Sequence, residues 1–422
     1  MNRLYPIGIQ NFEDLRCGGY IYVDKTMLLY NLVTTGKYYF LSRPRRFGKS
    51  LMLSTLDAYF SGKRELFKGL DMERLEKNWV VYPVLHMDLN TEKYDSEESL
   101  ENKIELSLKQ WEGLYGNNPD EYSLATRFEG IIRRAALKTG YKVVILIDEY
   151  DKPMLQAIGN PTLQTAYRNT LKAFYGALKS CDGFIRFAML TGVTKFGKVS
   201  IFSDLNNLRD ISMVQQYAEI CGISQRELHT YFDEDIHMLS DQIGLSFDET
   251  CEQLKTNYDG YHFCYKSEGM YNPFSLLNTF ANRQMGSYWF ETGTPTYLVE
   301  LMKLHHYKVE DLEHIITNGP VLDSIDAAST DPVPVIYQSG YLTIKDYNAE
   351  FENYTLGFPN REVEQGFFRF LLPHYASVSI SKSPYEIQRF VEEVRHGDVD
   401  GFLNRLRTFC LLYTSDAADD SL

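Results

Sequence analysis

The residues best suited to chemistry form a basic segment near the N-terminus, Arg43-Pro44-Arg45-Arg46-Phe47-Gly48-Lys49-Ser50. It follows a predicted strand and precedes a predicted helix, which is the setting in which a loop binds phosphate groups. Gly48 allows a phosphate to approach the backbone closely, Lys49 is suited to the β- and γ-phosphates, and the Ser50 hydroxyl is suited to Mg²⁺. The N-terminus of the following helix adds backbone N–H donors and the positive end of its dipole.

Arg43 is a departure from the usual form of such a loop. That form begins with glycine, so here the turn has to be made without it and with help from Pro44. Arg45 and Arg46 add positive charge against phosphate groups. The competing interpretation is a chance Gly-Lys-Ser after a basic stretch. The predicted nucleotide-binding residues are Arg45, Arg46, Phe47, Gly48, Lys49, Ser50 and Leu51.

A second segment places two carboxylates after an apolar run, Val143-Val144-Ile145-Leu146-Ile147-Asp148-Glu149. A buried parallel strand would deliver both to the carboxyl edge of a sheet, where ligands bind. Asp148 is predicted to hold Mg²⁺ together with Ser50, and Glu149 to polarise the attacking water as general base. The alternative is a buried strand that ends in acids by chance. Together and in this order, the two motifs predict ATP and Mg²⁺ as cofactors.

The separation of the two motifs indicates the class of fold. A complete predicted strand, Pro83–Leu89, lies between Lys49 and Asp148 in the sequence. This is typical of additional-strand P-loop ATPases, in which a polar residue at the end of a further strand senses the γ-phosphate. Thr191, after the predicted strand at 184–190, is the predicted catalytic sensor, and Thr194 is the second candidate. The alternative for Thr191 is a strand-end hydroxyl that caps a turn.

The elements that would position these residues alternate over the first 215 residues. Strands are predicted at 38–42, 83–89, 143–147 and 184–190, and helices at 50–60, 96–110, 123–138 and 161–180. This alternation indicates an α/β fold with a parallel sheet flanked by helices. The remainder is predicted to be mostly helical (227–254, 297–305, 309–316, 362–374 and 383–409), with strands at 335–344 and 349–356 around a turn at 346–348.

Composition and charge exclude several classes of protein. The 422 residues are 44% hydrophobic and 24% charged, which excludes a collagen, a coiled-coil rod and a largely disordered chain. The net charge of −14 argues against a globally basic nucleic-acid binder. Residues 1–50 are nevertheless basic, which suggests a local anion site.

The expected location is cytoplasmic. The first ten residues lack the apolar core of a signal peptide, and no apolar run is long enough to span a bilayer. No two of the six cysteines form a CxxC pair, so free thiols in a reducing compartment are expected. The histidines show no metal-ligand spacing with cysteines, so zinc is not expected.

Over nearly its whole length the sequence resembles the bacterial AAA-ATPase-like family. The matching segments are LYPIGIQNF (4–12), YVDKT (22–26), YYFLSRPRRFGKSLMLS (38–54), VILIDEYDKP (144–153), LTGVTKFGKVSIFSDLNNL (190–208), YDGYHF (258–263), YNPFSLL (271–277), YWFETGTP (288–295) and SGYLTI (339–344). The arginine-rich loop is the family's own form. The resemblance implies an ATP-binding domain and a helical lid. Full-length members often end in a PD-(D/E)XK nuclease-like domain, which we expect to be missing here.

We therefore expect four parts. They are an AAA-like ATPase domain (1–215), a helical lid with a small β region (216–360), a helical lead-in to a truncated C-terminal domain (361–409) and a non-native tail (410–422), for which a frayed acidic tail is the alternative. The expected function is ATP hydrolysis that drives or gates an attached effector through an unidentified protein client. Two alternatives stay open: a nucleotide-dependent switch or scaffold with little turnover, and the ATPase module of a nucleic-acid-processing protein. No motif distinguishes ATP from GTP.

Four weaker candidates carry a second interpretation each. Asp24-Lys25-Thr26 either contacts adenine or the lid, or forms a capped turn. Lys195 and Lys198 either face the phosphates or are solvated. Arg209 is either an arginine finger or a member of a surface ion pair.

Overall fold

A computed structural model describes residues 3–90, 92–196, 207–291, 315–323, 325 and 331–375, together with positions 388, 389, 396, 398 and 401. The first half alternates helices and strands, as the sequence predicts. Its elements are α1 Phe12–Cys17, α2 Thr26–Thr35, β1 Tyr38–Ser42, α3 Lys49–Phe60, α4 Asp71–Leu75, β2 Val84–Asp88, α5 Glu97–Tyr115, α6 Leu124–Thr139, β3 Val143–Asp148, α7 Lys152–Gln156, α8 Pro161–Ser180, β4 Ile185–Gly192 and β5 Arg209–Asp210.

The five strands of this half form one parallel sheet in the order β2-β3-β4-β1-β5. β4 lies between β1 and β3, so the strand before the glycine loop and the strand that ends in Asp148 are not neighbours. This order confirms the predicted additional-strand P-loop fold. Leu41 lies opposite Thr191 and Asp88 opposite Asp148, so the carboxyl ends of β1 to β4 meet at one edge of the sheet.

Burial explains why these segments adopt the predicted elements. Every residue of β3 is buried, a pattern that suits a central parallel strand of Val and Ile. The flanking helices are amphipathic and pack an apolar face toward the sheet. α6, for example, starts at a capping box formed by Ser123 and Thr126 and ends at Gly140, whose φ of 74° lies in the left-handed region.

The second half is mostly helical, with two small antiparallel sheets. Its elements are β6 Ile223–Ser224, α9 Gln225–Ile243, α10 Phe247–Tyr258, β7 Met270–Tyr271, α11 Pro273–Asn282, α12 Tyr288–Glu291, β8 Ile315–Asn318, α13 Gly319–Asp323, α14 Val333–Gln338, β9 Thr343–Asn348, β10 Asn353–Gly357 and α15 Arg361–Tyr375. β6 pairs with β7, and β10 lies between β8 and β9.

Three details of the predicted secondary structure are wrong. The strand predicted at 335–344 begins with helix α14, because Pro334 suits the first turn of a helix and a short apolar run does not by itself specify a strand. The turn predicted at 346–348 lies at 349–352. The helices predicted at 297–305, 309–316 and 383–409 fall largely outside the described residues, and positions 315–316 belong to β8.

Two hydrophobic cores hold the described residues together. The larger core surrounds the parallel sheet and extends to Val363 and Phe367 of α15. The smaller core joins α9, α10 and α11 and also receives Tyr5, Ile7 and Val23 from the N-terminal segment. The domain boundaries at 215, 360 and 409 stay predictions. Among the helices described, none is both long and apolar enough to cross a bilayer.

Candidate functional site

The phosphate loop, which we define as Arg43–Gly48, connects β1 to α3 at the carboxyl edge of the sheet. Arg46 (φ 66°) and Gly48 (φ 94°) both adopt left-handed backbone conformations, so the turn is made at these positions and not at position 43. Gly48 is the N-cap of α3 and has no side chain to occupy the first N–H groups of the helix. These donors and the helix dipole favour an anion.

Arg43 holds the loop in place from inside the protein. Its guanidinium is buried and donates hydrogen bonds to the carbonyl oxygens of Ser42 (2.9 Å), Ser212 (2.8 Å) and Tyr217 (3.1 Å). It also lies 3.9 Å from the centre of the Phe263 ring. Burial lowers the pKa of Arg43 to about 10, so the side chain stays charged at neutral pH. Arginine at the usual glycine position is therefore a structural anchor.

The predicted phosphate lysine and the predicted base lie together at this edge. The ammonium group of Lys49 is buried and donates to the carbonyl oxygens of Arg43 (3.1 Å) and Pro44 (3.3 Å). It lies 3.4 Å from Oε1 of Glu149. The two residues are brought together by strands β1 and β3, which are separated in the sheet by β4.

The acidic turn, which we define as Asp148–Lys152, follows β3. Oδ1 of Asp148 accepts hydrogen bonds from the Thr191 hydroxyl (2.5 Å) and from the backbone N–H of Glu149 (3.0 Å). Glu149 has a φ of 52°, an uncommon conformation for a residue with a side chain and one that concentrates at functional sites. The predicted sensor Thr191 thus fixes the orientation of the predicted metal-supporting carboxylate.

Asp151 fastens the acidic turn to the end of β4. Its buried carboxylate accepts hydrogen bonds from the N–H of Val193 (3.1 Å) and from both the N–H and the hydroxyl of Thr194 (2.6 Å each). Burial, followed by the charge of Glu149, raises the pKa of Asp151 to about 6. A Cβ on Gly192 would lie 2.5 Å from Oδ1 of Asp151, so the close approach of the two segments requires glycine there.

A cavity of about 330 Å³ opens between the phosphate loop, the acidic turn, the N-terminal segment and α11. A space of this size and mixed lining is typical of a small-molecule site. Its lining includes Pro6, Ile9, Arg45, Arg46, Gly48, Lys49, Ser50, Leu51, Asn90, Glu149, Lys152 and Phe274. Of the predicted binding residues, Phe47 differs: its buried ring packs against Tyr261 and Phe263, and it lines a smaller neighbouring cavity instead of this one.

Three polar residues at this edge were not predicted from the sequence. Asp88 ends β2 opposite Asp148; burial raises its pKa, and the charges of Asp148 and Glu149 add to the increase. Asn90 and Lys152 line the cavity. The position of Asp88 at the end of an apolar strand was a usable signal, whereas the sequence did not show that the side chain of Lys152 lines the cavity.

The weaker candidates have other partners. Lys25 forms an ion pair with Glu227 of α9 (2.6 Å), so this residue contacts the helical region. Lys195 is buried in an ion pair with Asp210. Arg209 is exposed on β5, opposite Tyr39. Lys198 lies outside the described residues.

A smaller, mainly apolar cavity of about 100 Å³ adjoins the first. Tyr22, Val23, Leu51, Ile220 and Leu277 are among its lining residues, and Gly48 borders both cavities. Lys25 lies at its wall, and its ammonium group is already paired with the carboxylate of Glu227. The apolar walls suit a flat, uncharged ring system next to the phosphate loop.

Comparisons with known proteins agree with this architecture. Residues 6–202 match a family model described as predicted AAA-ATPase. A protein of Azotobacter chroococcum mcd 1, named as an uncharacterized protein in the vnfD 5' region, is 38% identical over 373 residues, which are 88% of this chain and 70% of that protein. The Aeropyrum pernix ORC2 protein, solved as ADPNP–ADP complexes, aligns over 81% of this chain and 91% of its own, with 11% identity and a TM-score of 0.28, a likeness too low to support an argument.

The phosphate loop before α3, the acidic end of β3 and the strand between them are the features that the family description leads one to expect. The sequence identity to the Azotobacter protein extends over most of both chains. We conclude that this chain belongs to the predicted AAA-ATPase family and contains its nucleotide-binding P-loop module.

Proposed function

We propose that this protein binds ATP with Mg²⁺ at the phosphate loop and hydrolyses it. The observation that carries the proposal is the meeting of Lys49 and Glu149, 3.4 Å apart, at the wall of a 330 Å³ cavity beside the open N-terminus of α3. A phosphate-binding cation and a base for water are thereby placed within reach of one phosphate chain.

The phosphate groups would be held by Lys49 and by the N–H groups at the start of α3, with Arg45 and Arg46 adding charge at the rim. Lys49 would exchange its contact with Glu149 for a phosphate oxygen. Glu149 is then left to accept a proton from the attacking water. The chemistry asked of the protein is mainly positioning and charge neutralisation.

Mg²⁺ would be held by the Ser50 hydroxyl and, through water, by Asp148. The residues fit this role, because Thr191 fixes one oxygen of Asp148 and, within the described ranges, no hydrogen bond holds the other, which can orient water. In the described ranges no three His, Cys, Asp or Glu side chains cluster as a metal site of their own. Mg²⁺ usually binds through one or two protein ligands plus phosphates and waters, so Ser50 and Asp148 suffice. When bound, the ion would neutralise charge on the phosphates.

The base would occupy the 100 Å³ apolar cavity. Its walls are mainly aliphatic and aromatic, and the ammonium group of Lys25 at the wall is already paired with Glu227. Both bases carry an exocyclic amine, but guanine has a ring N–H donor that adenine lacks; a lining without Asp or Glu offers that donor no carboxylate and so favours adenine. ATP is therefore the proposed nucleotide.

We further propose that hydrolysis moves the helical region and so drives or gates an attached effector, a protein client or a nucleic-acid-processing domain. Two contacts support such coupling. Lys25 forms an ion pair with Glu227 of α9, and Nε1 of Trp289 donates a hydrogen bond to the Arg45 carbonyl in the phosphate loop. The second candidate is a switch with little turnover. Arg209 is exposed on β5 and is not among the residues that line the cavity, so it adds no positive charge to this chain's own site, which favours that candidate.

The experiment is Mg²⁺-dependent ATP turnover by the full chain, with binding measured by calorimetry. Lys49→Ala should weaken ATP binding about 10- to 100-fold, the loss of a charge-assisted contact. Glu149→Gln should bind ATP as the wild type does and lose turnover by about 10²- to 10⁴-fold. Lys179→Ala and Glu101→Gln, both on exposed helix positions, are the matched controls.

Tight ATP binding by the wild type without turnover would replace the ATPase with the switch. Turnover that survives in Glu149→Gln would remove Glu149 as the base. Failure of the wild type to bind ATP would overturn the proposed function.

A further inference from the structure

Two cationic side chains outside the Lys49 contact converge on the same cavity. Arg45 reaches it from the phosphate loop and Lys152 from the acidic turn. Their proximity is reflected in the titration of Lys152: burial lowers its pKa, and the positive charge of Arg45 lowers it further. Two like charges held together in a half-buried space are unfavourable unless an anion joins them.

Neither side chain forms an ion pair within the described part of the chain. Three other lysines already have carboxylate partners: Lys49 lies against Glu149, Lys195 against Asp210 and Lys25 against Glu227. The carboxylates of Glu149, Asp151 and Asp88 influence Lys152 only at longer range. Arg45 and Lys152 are therefore cations of this site that a ligand would satisfy without breaking an ion pair of the protein.

Both cations are carried by segments that are fixed in place. The carbonyl oxygen of Arg45 accepts a hydrogen bond from the indole N–H of Trp289 (2.9 Å). The N–H of Lys152 donates to the carbonyl of Glu149 (3.0 Å), and the preceding residue, Asp151, is bound to the end of β4. A fixed origin limits where each flexible side chain can place its charge, which is what charge stabilisation in a reaction requires.

The position of Lys152 indicates which phosphate it would meet. Lys152 lies on the same turn as Glu149, the proposed base, and the base acts on water next to the terminal phosphate. Lys49 also reaches this end, since its ammonium group lies 3.4 Å from Glu149, and the N–H groups at the start of α3 are left for the inner phosphates. Arg46 is less suited to the terminal phosphate, since its guanidinium lies over the Phe274 ring at 5.0 Å.

We propose that Arg45 and Lys152 neutralise the terminal phosphate of the bound nucleotide from within this chain, so that no arginine from a second subunit is needed. The inference rests on the proposed ATPase function. It assigns to two residues of the chain the role that an arginine finger plays when supplied in cis. Lys152 is the catalytic residue that this assignment adds.

The test compares ATP and ADP binding to the full chain by calorimetry, with Lys152→Met, Lys152→Arg and Arg45→Met beside Lys179→Met as the control. Lys152→Met should weaken ATP binding about 10-fold, which is about 1.4 kcal/mol, and change ADP binding less than about two-fold. Lys152→Arg should recover most of the loss. Unchanged ADP binding also shows that the variant folds.

Turnover supplies the second readout. Lys152→Met should lower kcat about 10²- to 10³-fold, and the wild-type rate per molecule should not rise with protein concentration, because the cation acts in cis. An unchanged ratio of ATP to ADP affinity in Lys152→Met, with ATP still bound by the wild type, would overturn this assignment alone. A rate per molecule that rises with concentration would also overturn it. Absence of wild-type ATP binding would instead overturn the proposed function.

Discussion

The phosphate loop and the acidic turn face the same cavity but are held in different ways. The loop is fastened by residues far along the chain: Arg43 donates to the carbonyls of Ser212 and Tyr217, and Arg45 accepts from Trp289. These partners belong to the part of the chain that follows β4. Ser212 and Tyr217 lie just after β5, and Trp289 lies in the helical half, so the shape of the loop depends on both segments.

The acidic turn is fastened by the neighbouring strand of its own sheet. Asp148 accepts from Thr191, and Asp151 accepts from Val193 and Thr194, all at the carboxyl end of β4. None of these donors or acceptors belongs to the helical half. The difference suggests that the two halves of the site can be adjusted separately: nucleotide affinity through the C-terminal partners of the loop, and the catalytic step through the sheet.

The largest expected effect comes from removing the main anchor of the loop. Arg43→Met leaves the buried carbonyls of Ser212 and Tyr217 without their charged donor, so we expect the free energy of unfolding to fall by about 4 kcal/mol and ATP binding to weaken more than about 10-fold. Urea denaturation and calorimetry measure the two effects. Arg43→Lys should recover at most half, because lysine lacks the planar fork. Unchanged ATP affinity in Arg43→Met would contradict the claim that the anchors of the loop control nucleotide affinity.

The acidic turn should make the free energy of unfolding depend on pH through Asp151. The folded-state pKa of Asp151 is raised to about 6, so the native protein binds this proton more tightly than the unfolded chain does. The free energy of unfolding of the wild type, relative to Asp151→Asn, should fall by about 2–3 kcal/mol from about pH 4 to about pH 6. Urea denaturation across this range measures it. The same fall in an Arg43→Met background would show that the two segments are independent, and its loss there would show that they are not.

The next largest effect is expected for Thr191→Val, which tests the role of the acidic turn in catalysis. The substitution removes the hydroxyl that orients Asp148 and keeps the side-chain shape, so kcat should fall about 10- to 100-fold, or about 1.4–2.7 kcal/mol, with the ATP dissociation constant within about three-fold. Steady-state turnover and calorimetry separate the two quantities. Thr191→Ser should retain activity. A loss of ATP affinity as large as that of Arg43→Met would contradict the separation.

The smallest expected effect is on the loop again. Trp289→Phe removes the indole donor to the Arg45 carbonyl, so ATP affinity should fall about five-fold, or about 1 kcal/mol, while kcat at saturating ATP stays within about two-fold. Trp111→Phe, in a buried position of α5, is the matched control. A change in kcat with unchanged affinity would reverse the assignment of roles.

The parallel sheet and both motifs could be predicted because their signals are local. The apolar run of β3 and the glycine before α3 each lie within a few residues of the feature they specify. Lys49 and Glu149 meet because β1 and β3 end at the same edge of the sheet with β4 between them. The separation of the two motifs in the sequence indicated this strand order. The short run at 335–338 was misassigned because a few apolar residues fit either a helix or a strand.

The anchors of the site could not be predicted in the same way. Arg43 finds two of its three acceptors more than 150 residues away, and these acceptors are backbone carbonyls, which carry no sequence signal. The sequence marks Arg43 only as a departure from a glycine. Lys152 is likewise an ordinary lysine until the structure places it at the cavity with Arg45.

The buried guanidinium of Arg43 also limits where the chain can be truncated without losing the shape of the phosphate loop. The family match ends at residue 202, yet the oxygens that receive Arg43 belong to Ser212 and Tyr217, and Tyr261 covers the ring of Phe47. A fragment cut at the family limit would keep every motif residue and lose the frame that shapes them. Deletion and fusion boundaries for this protein should follow contacts in space, and sequence-family limits alone would place them inside the working unit.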